Sequence, residues 1–201
     1  GYRVIDFDNR GHGRSEKLYE PASYSASEMA EDARRLLDHL EIAQAHVMGY
    51  SMGARLTALL AIHHPDRVRR AVLAGLAANM IHGVGGAETI AKGFEAESLE
   101  AIADPTARAF RAFAEQTGSD LKALAACMRA SRQTISPEAL ARIRCPVLVV
   151  AGETDDIAGP VEPLVAAIAQ ARGVTLPGRD HMQAVGDRRF KREVVSFLGE
   201  T

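Results

Sequence analysis

The chain has 201 residues, 47% of them apolar, which is enough for one globular core without disulfides or metal. Its 24 lysines and arginines against 26 aspartates and glutamates leave a formal net charge of −2, so neither nucleic acid nor an anionic membrane surface is expected as a partner. Cys127 and Cys145 are too few for a disulfide framework and are not spaced as a Cys-x-x-Cys pair, so reduced thiols and a cytoplasmic location are expected.

In chain order, Tyr2-Arg3-Val4-Ile5-Asp6-Phe7 reads at once as a buried strand. The sequence therefore looks as if it enters its fold partway, and further strands are expected before Gly1. Asp8-Asn9-Arg10-Gly11-His12-Gly13-Arg14-Ser15 is a turn-rich loop in which Asp8 and the glycines hold a tight conformation. Ser25-Ala26-Ser27-Glu28 has capping-box spacing and opens a helix whose Met29, Ala33, Leu36, Leu37 and Leu40 recur at helical intervals. Residues 45 to 49 form a strand, residues 52 to 63 a helix ending before Pro65, and residues 70 to 74 another strand.

Alternating strands and helices imply a parallel sheet. The rhythm breaks between about Leu76 and Arg144, where alanine-rich amphipathic patterns punctuated by Pro105, Gly118 and Pro137 predict several short helices. Residues 146 to 151 restore a strand, followed by a helix over 163 to 171, a short strand over 173 to 176 and a closing amphipathic helix from 190 to 198. The expected organisation is a core from residues 1–75 and 145–201 interrupted by a helical insertion, 76–144. The basic run Arg188-Arg189-Phe190-Lys191-Arg192 falls on the closing helix and reads as its solvated face.

One pentapeptide stands apart. Gly49-Tyr50-Ser51-Met52-Gly53 lies where a strand pattern gives way to a helical one, the setting of a nucleophile elbow. Such a turn strains the serine backbone, asks for small residues two before and two after it, and sets the hydroxyl beside the positive end of the following helix. A serine hydroxyl is a poor nucleophile at neutral pH and needs a base within hydrogen-bond reach, oriented by a third group. Reactive groups in open α/β sheets gather beyond the carboxyl ends of the strands. Asp155, past the strand at 146 to 151, and His181, in the loop after the last strand, both satisfy that condition. The order Ser, Asp, His is that of α/β-hydrolases.

Four blocks carry a resemblance to the α/β-hydrolase family, specifically its small bacterial esterase, enol-lactonase and haloperoxidase-like branch. They are residues 8 to 15, the elbow at 49 to 53, Gly152-Glu153-Thr154-Asp155 and Gly178-Arg179-Asp180-His181. The resemblance implies a mostly parallel sheet flanked by helices, a helical cap and no cofactor. It assigns Ser51 as nucleophile, His181 as general base and acid, and Asp155, at the family's Gly-x-x-Asp position, as the orienting carboxylate in preference to Asp156. Met52, through its backbone N–H, and Tyr50 are assigned to the oxyanion and substrate position.

The implied reaction is cleavage of a small carboxylic ester or lactone. The same residue set also serves cofactor-free haloperoxidases, carbon–carbon bond hydrolases and ligand-binding proteins of this fold. A second oxyanion donor is expected from a loop preceding Gly1. His82-Gly83-Val84-Gly85-Gly86 imitates that motif but follows the wrong strand. His39, His46, His63 and His64 show no metal-ligand spacing.

Overall fold

The computed structural model describes residues 1–200. The helices are α1 (Ala26–His39), α2 (Met52–His63), α3 (Ala78–His82), α4 (Ala87–Glu95), α5 (Pro105–Gln116), α6 (Leu121–Ala130), α7 (Pro137–Leu140), α8 (Glu162–Ala167), α9 (His181–Ala184) and α10 (Arg188–Leu198). The strands are β1 (Ala45–Tyr50), β2 (Val68–Ala74), β3 (Val147–Gly152) and β4 (Ala171–Leu176). None of the helices formed by the described residues is long and apolar enough to cross a membrane.

The chain divides into two compact units, Gly1–Met29 with Gly85–Arg132, and Ala30–Val84 with Gln133–Thr201. The second holds the sheet, four parallel strands in the order β1-β2-β3-β4. Helices return the chain from the end of one strand to the start of the next, which is what parallel pairing requires. β3 and the second half of β2, residues 71–74, are runs of buried apolar residues because both faces of the sheet are covered there.

Their side chains sort by the two-residue period of a strand. Ala71, Leu73, Val147, Val149 and Ala151 join a core with Ala54, Ala58 and Ala61 of α2, Met80 of α3 and Leu164 of α8. Val72, Ala74, Leu148 and Val150 join the opposite core with Phe190, Val194 and Phe197 of α10. The segments flanking the helical insertion belong to the first of these cores through Leu76, Ala77, Ile135, Leu140 and Ile143. Within 76–144, residues 85–132 fall with Gly1–Met29 in the first unit.

That other unit is built on α4, α5 and α6 around Ile90, Phe94, Ala107, Ala114 and Ala125. Asp104 and Asp120 cap α5 and α6, accepting from the N–H groups of Ala107 and Ala123. Buried Arg111 donates to the carbonyls of Gly93, Phe94 and Ala96, satisfying the end of α4. Residues 8 to 15 form the expected tight loop, with the Arg14 N–H donating to the Asp8 carboxylate at 2.9 Å.

Two sequence expectations change. Residues 2 to 7 form no strand; Val4 is 82% exposed and Ile5 and Phe7 are also exposed. Apolar residues become a strand only against a hydrogen-bonding neighbour, and among the described residues β1 pairs with β2 alone. The sheet consequently has β1 at its edge and no gap between its strands. The helix expected over 163 to 171 stops at Ala167, because Ile168 turns extended and Ala171 enters register with Val147 in the β3–β4 ladder.

α1 is fastened to the end of α2 by charge. Arg34 Nε donates to Glu31 at 2.7 Å, and the same carboxylate pairs with the His64 ring. These two hydrogen bonds lower the Glu31 pKa from 4.5 to about 2. Because the folded value lies below the unfolded one, the contribution is full above about pH 4.5 and lost as pH falls toward 2. Glu31→Gln should therefore flatten the acid limb of stability between those values in urea titrations across pH, with little effect on the slope above pH 5.

Candidate active site

The site is built at the carboxyl ends of β1, β3 and β4, where a parallel sheet delivers successive loops to one side. Ser51 links β1 to α2 with φ 56° and ψ −115°, and Glu41 is the other non-glycine residue at positive φ among those described. A conformation this sparsely populated costs of order 1–3 kcal/mol and persists only where surrounding contacts impose it. Two contacts do so here. The Ser51 N–H donates to the Ala74 carbonyl at 2.7 Å, tying the turn to β2. Gly49 lies so close to α2 that a Cβ built on it would be 2.0 Å from the Gly53 carbonyl oxygen.

The two elbow glycines are not equivalent. A Cβ at Gly53 would meet nothing within 4 Å, so the requirement for smallness falls on Gly49. Ser51 is also not an ordinary helix cap, since its side chain makes no capping hydrogen bond. Its Oγ lies 3.1 Å from His181 Nε2.

His181 opens α9 and is set there by Asp180, whose carboxylate accepts from the N–H groups of Met182 at 3.0 Å and Gln183 at 2.8 Å. The loop before it is fixed to the end of β3. The Thr154 N–H donates to the Arg179 carbonyl at 3.0 Å, and a Cβ on Gly152 would be 2.0 Å from that same oxygen.

Asp155 completes the line. Its oxygens lie 2.9 and 3.0 Å from His181 Nδ1, and Oδ1 also accepts from the N–H groups of Ile157 at 3.1 Å and Ala158 at 2.9 Å. The carboxylate side chain is 0% exposed and the imidazole 11% exposed. A buried carboxylate needs such donors to remain charged. An ionised carboxylate only accepts, so Nδ1 must carry the proton and Nε2 is left with a lone pair facing the Ser51 hydroxyl. The arrangement can take the hydroxyl proton as oxygen attacks an electrophile, and hold the resulting imidazolium against Asp155.

Ser51, His181 and Asp155 are thus brought together from positions up to 130 residues apart. The neighbouring Asp156 accepts through its main-chain carbonyl from Asn79 Nδ2 at 3.0 Å. Met52 opens α2, which sets its backbone at the positive end of that helix. Tyr50 directs its hydroxyl proton to the His181 carbonyl at 2.5 Å, so that proton is not aimed at an oxyanion.

Gly152 was legible as the start of its turn, but its approach to the Arg179 carbonyl was not, and Gly75, where a Cβ would meet the Tyr50 ring, carried no signal at all, because both approaches are to residues distant in sequence. Asp180 was legible as a turn former, and its place three before Gln183 carried a further capping signal. A cavity of about 370 Å³ flanks Asp155, lined also by Asp156, Gly159, Val161 and Glu162, but neither Ser51 nor His181 lines it. Among the described residues no group of histidines, cysteines and carboxylates is placed to hold a metal ion.

Comparison with known proteins bears on the fold that carries these residues. A family model described as alpha/beta hydrolase fold matches residues 1–95. A crystal structure of a hydrolase from Pseudomonas aeruginosa PA01 is 35% identical, with a TM-score of 0.77 over 96% of this chain and 78% of that one. The enol-lactonase from Burkholderia xenovorans LB400 is 29% identical, with a TM-score of 0.80 over 96% of this chain and 79% of that one. The 3-oxoadipate enol-lactonase 2 of Acinetobacter baylyi is 32% identical over 170 residues, 78% of this chain. The match spans 62% of that lactonase and 26% of several other curated relatives.

The elbow geometry makes an asymmetric prediction for urea denaturation. Gly49→Ala should destabilise by upwards of about 3 kcal/mol, since neither backbone can yield without dismantling the turn. Gly53→Ala should be neutral or stabilising by about 0.5–1 kcal/mol, as expected of alanine in a helix. By the same reasoning Ser51→Gly, which relieves the positive φ, should be more stable than Ser51→Ala by about 1 kcal/mol.

Proposed function

The chain belongs to the α/β-hydrolase fold family, and within it we propose a serine hydrolase that cleaves a small carboxylic ester or lactone through an acyl-enzyme on Ser51. The carrying observation is the continuous hydrogen-bonded line from Asp155 through His181 to Ser51, with separations of 2.9 and 3.1 Å. As Ser51 Oγ attacks the carbonyl carbon, its proton passes to His181 Nε2 and the carbonyl oxygen becomes an oxyanion beside the Met52 N–H. The C–O bond to the leaving alkoxide then breaks and takes that proton as an alcohol. For a lactone, the alcohol stays tethered to the acyl group.

Water next attacks the acyl-enzyme, giving a proton to Nε2. Collapse releases the carboxylic acid and returns the proton to Ser51. Asp155 stabilises the imidazolium in both halves without itself taking the proton. Ser51 speaks against the aspartate-nucleophile chemistries of this fold, and the relatives named as enol-lactonases are consistent with a lactone or ester. The helical unit around α4 to α6 is proposed as the cap, and its apolar content suits a small, largely apolar acyl or ring substrate.

Turnover of a short-chain nitrophenyl ester, with fluorophosphonate labelling read by peptide mass spectrometry, tests this reading. Ser51→Ala should lose about 1,000-fold or more in kcat/KM, and the label should sit on Ser51. Retention of more than about a tenth of the activity by the alanine variant would overturn the assignment.

A further inference from the structure

Tyr50 is the last residue of β1 and the neighbour of Ser51 in sequence, yet its side chain is spent on the base. Strand alternation turns its ring to the face that carries α10, where it meets Phe190 edge-on with centroids 6.3 Å apart. From there the hydroxyl reaches the His181 main chain, donating to the carbonyl at 2.5 Å, and the two rings lie 5.3 Å apart, tilted by 46°. Space for the ring is made at the end of β2. Gly75 has φ +63°, and a Cβ there would be 2.6 Å from the Tyr50 ring carbon that bears the hydroxyl. The neighbouring strand has therefore given up a side chain where the tyrosine passes.

The geometry points to Tyr50 as a positioning residue: its hydrogen bond to the His181 carbonyl sets the height of the imidazole over Ser51. This rests on the reading of Ser51 as nucleophile and goes beyond it. Asp155 controls how the imidazole rotates, because it holds Nδ1. Where Nε2 then falls depends on where the His181 main chain sits. Asp180 and the Thr154–Arg179 contact tie that main chain to α9 and β3. The Tyr50 bond ties it to β1, the strand that delivers the serine. Base and nucleophile are thereby referenced to each other through one residue.

A shift of a few tenths of an ångström in Nε2 is enough to lengthen a 3.1 Å contact beyond useful proton transfer. The bond requires a protonated phenol, and burial together with the Asp155 and Asp180 carboxylates pushes the Tyr50 hydroxyl toward keeping its proton.

The test compares wild type, Ser51→Ala, Tyr50→Phe and a chain carrying 2,3,5-trifluorotyrosine at position 50, all full length. Tyr50→Phe keeps the ring and removes the bond. Its kcat on the nitrophenyl ester should fall about tenfold with KM within about twofold, and fluorophosphonate labelling of Ser51 should slow in proportion. Unchanged kcat and labelling rate overturn the proposal. So does a rise in KM at constant kcat, which would make Tyr50 a substrate contact.

The trifluorotyrosine chain keeps the tyrosine shape and decides the matter if the phenylalanine variant does not fold. Its more acidic hydroxyl ionises at lower pH and can then no longer donate, so the alkaline limb of kcat should move to lower pH. An unmoved limb overturns the proposal. Full turnover by Ser51→Ala, or a label elsewhere, refutes the reaction itself, an outcome separable from wild-type chemistry that is indifferent to Tyr50.

Discussion

Everything at this site depends on one close approach, that of β1 to α2 at Gly49 and Gly53. With a Cβ at position 49 the strand could not come so near the helix, and Ser51 would have no reason to remain at φ 56°. The strain in that residue is supported by interactions that have no part in proton transfer: the buried α2, the ladder between β1 and β2, and the Ser51 N–H bond to Ala74. The Ser51 hydroxyl is held in place because the rest of the sheet holds the turn. The same logic places the stability of the fold and the geometry of the hydroxyl on the same residues.

His181 and Asp155 are held by different means. Asp155 is held by main-chain N–H groups within its own turn, and His181 by a helix cap and a contact between two loops. Parallel pairing brings all three loops to one side, and backbone bonds at their roots remove the freedom that would otherwise be spent when substrate binds. Main-chain and side-chain restraints act here on different parts of the histidine, one locating it and the other orienting it.

Much of this was legible in the residues. The strands over 70–74 and 146–151, the helix starts at Ala26 and Met52, and the positions of Ser51, Asp155 and His181 at strand ends all follow from local periodicity and turn chemistry. These features are local because helix caps, glycine turns and strand alternation are set by neighbours within a few residues. The segment 2 to 7 shows the limit of that logic. Its residues have the composition of a strand, but a strand is a pairing, and pairing depends on what lies alongside.

The sequence by itself determined which residues could carry chemistry, in what order, and on which side of a parallel sheet they would emerge. Tertiary structure alone decided which close approaches make that arrangement rigid. Gly75 is needed because the Tyr50 ring crosses it, Gly152 because the Arg179 carbonyl lies against it, and Tyr50 gains its role only where the His181 main chain comes within reach. Those are contacts between residues tens of positions apart. No periodicity within one segment encodes them, because they arise only after several segments have packed and their backbones have met.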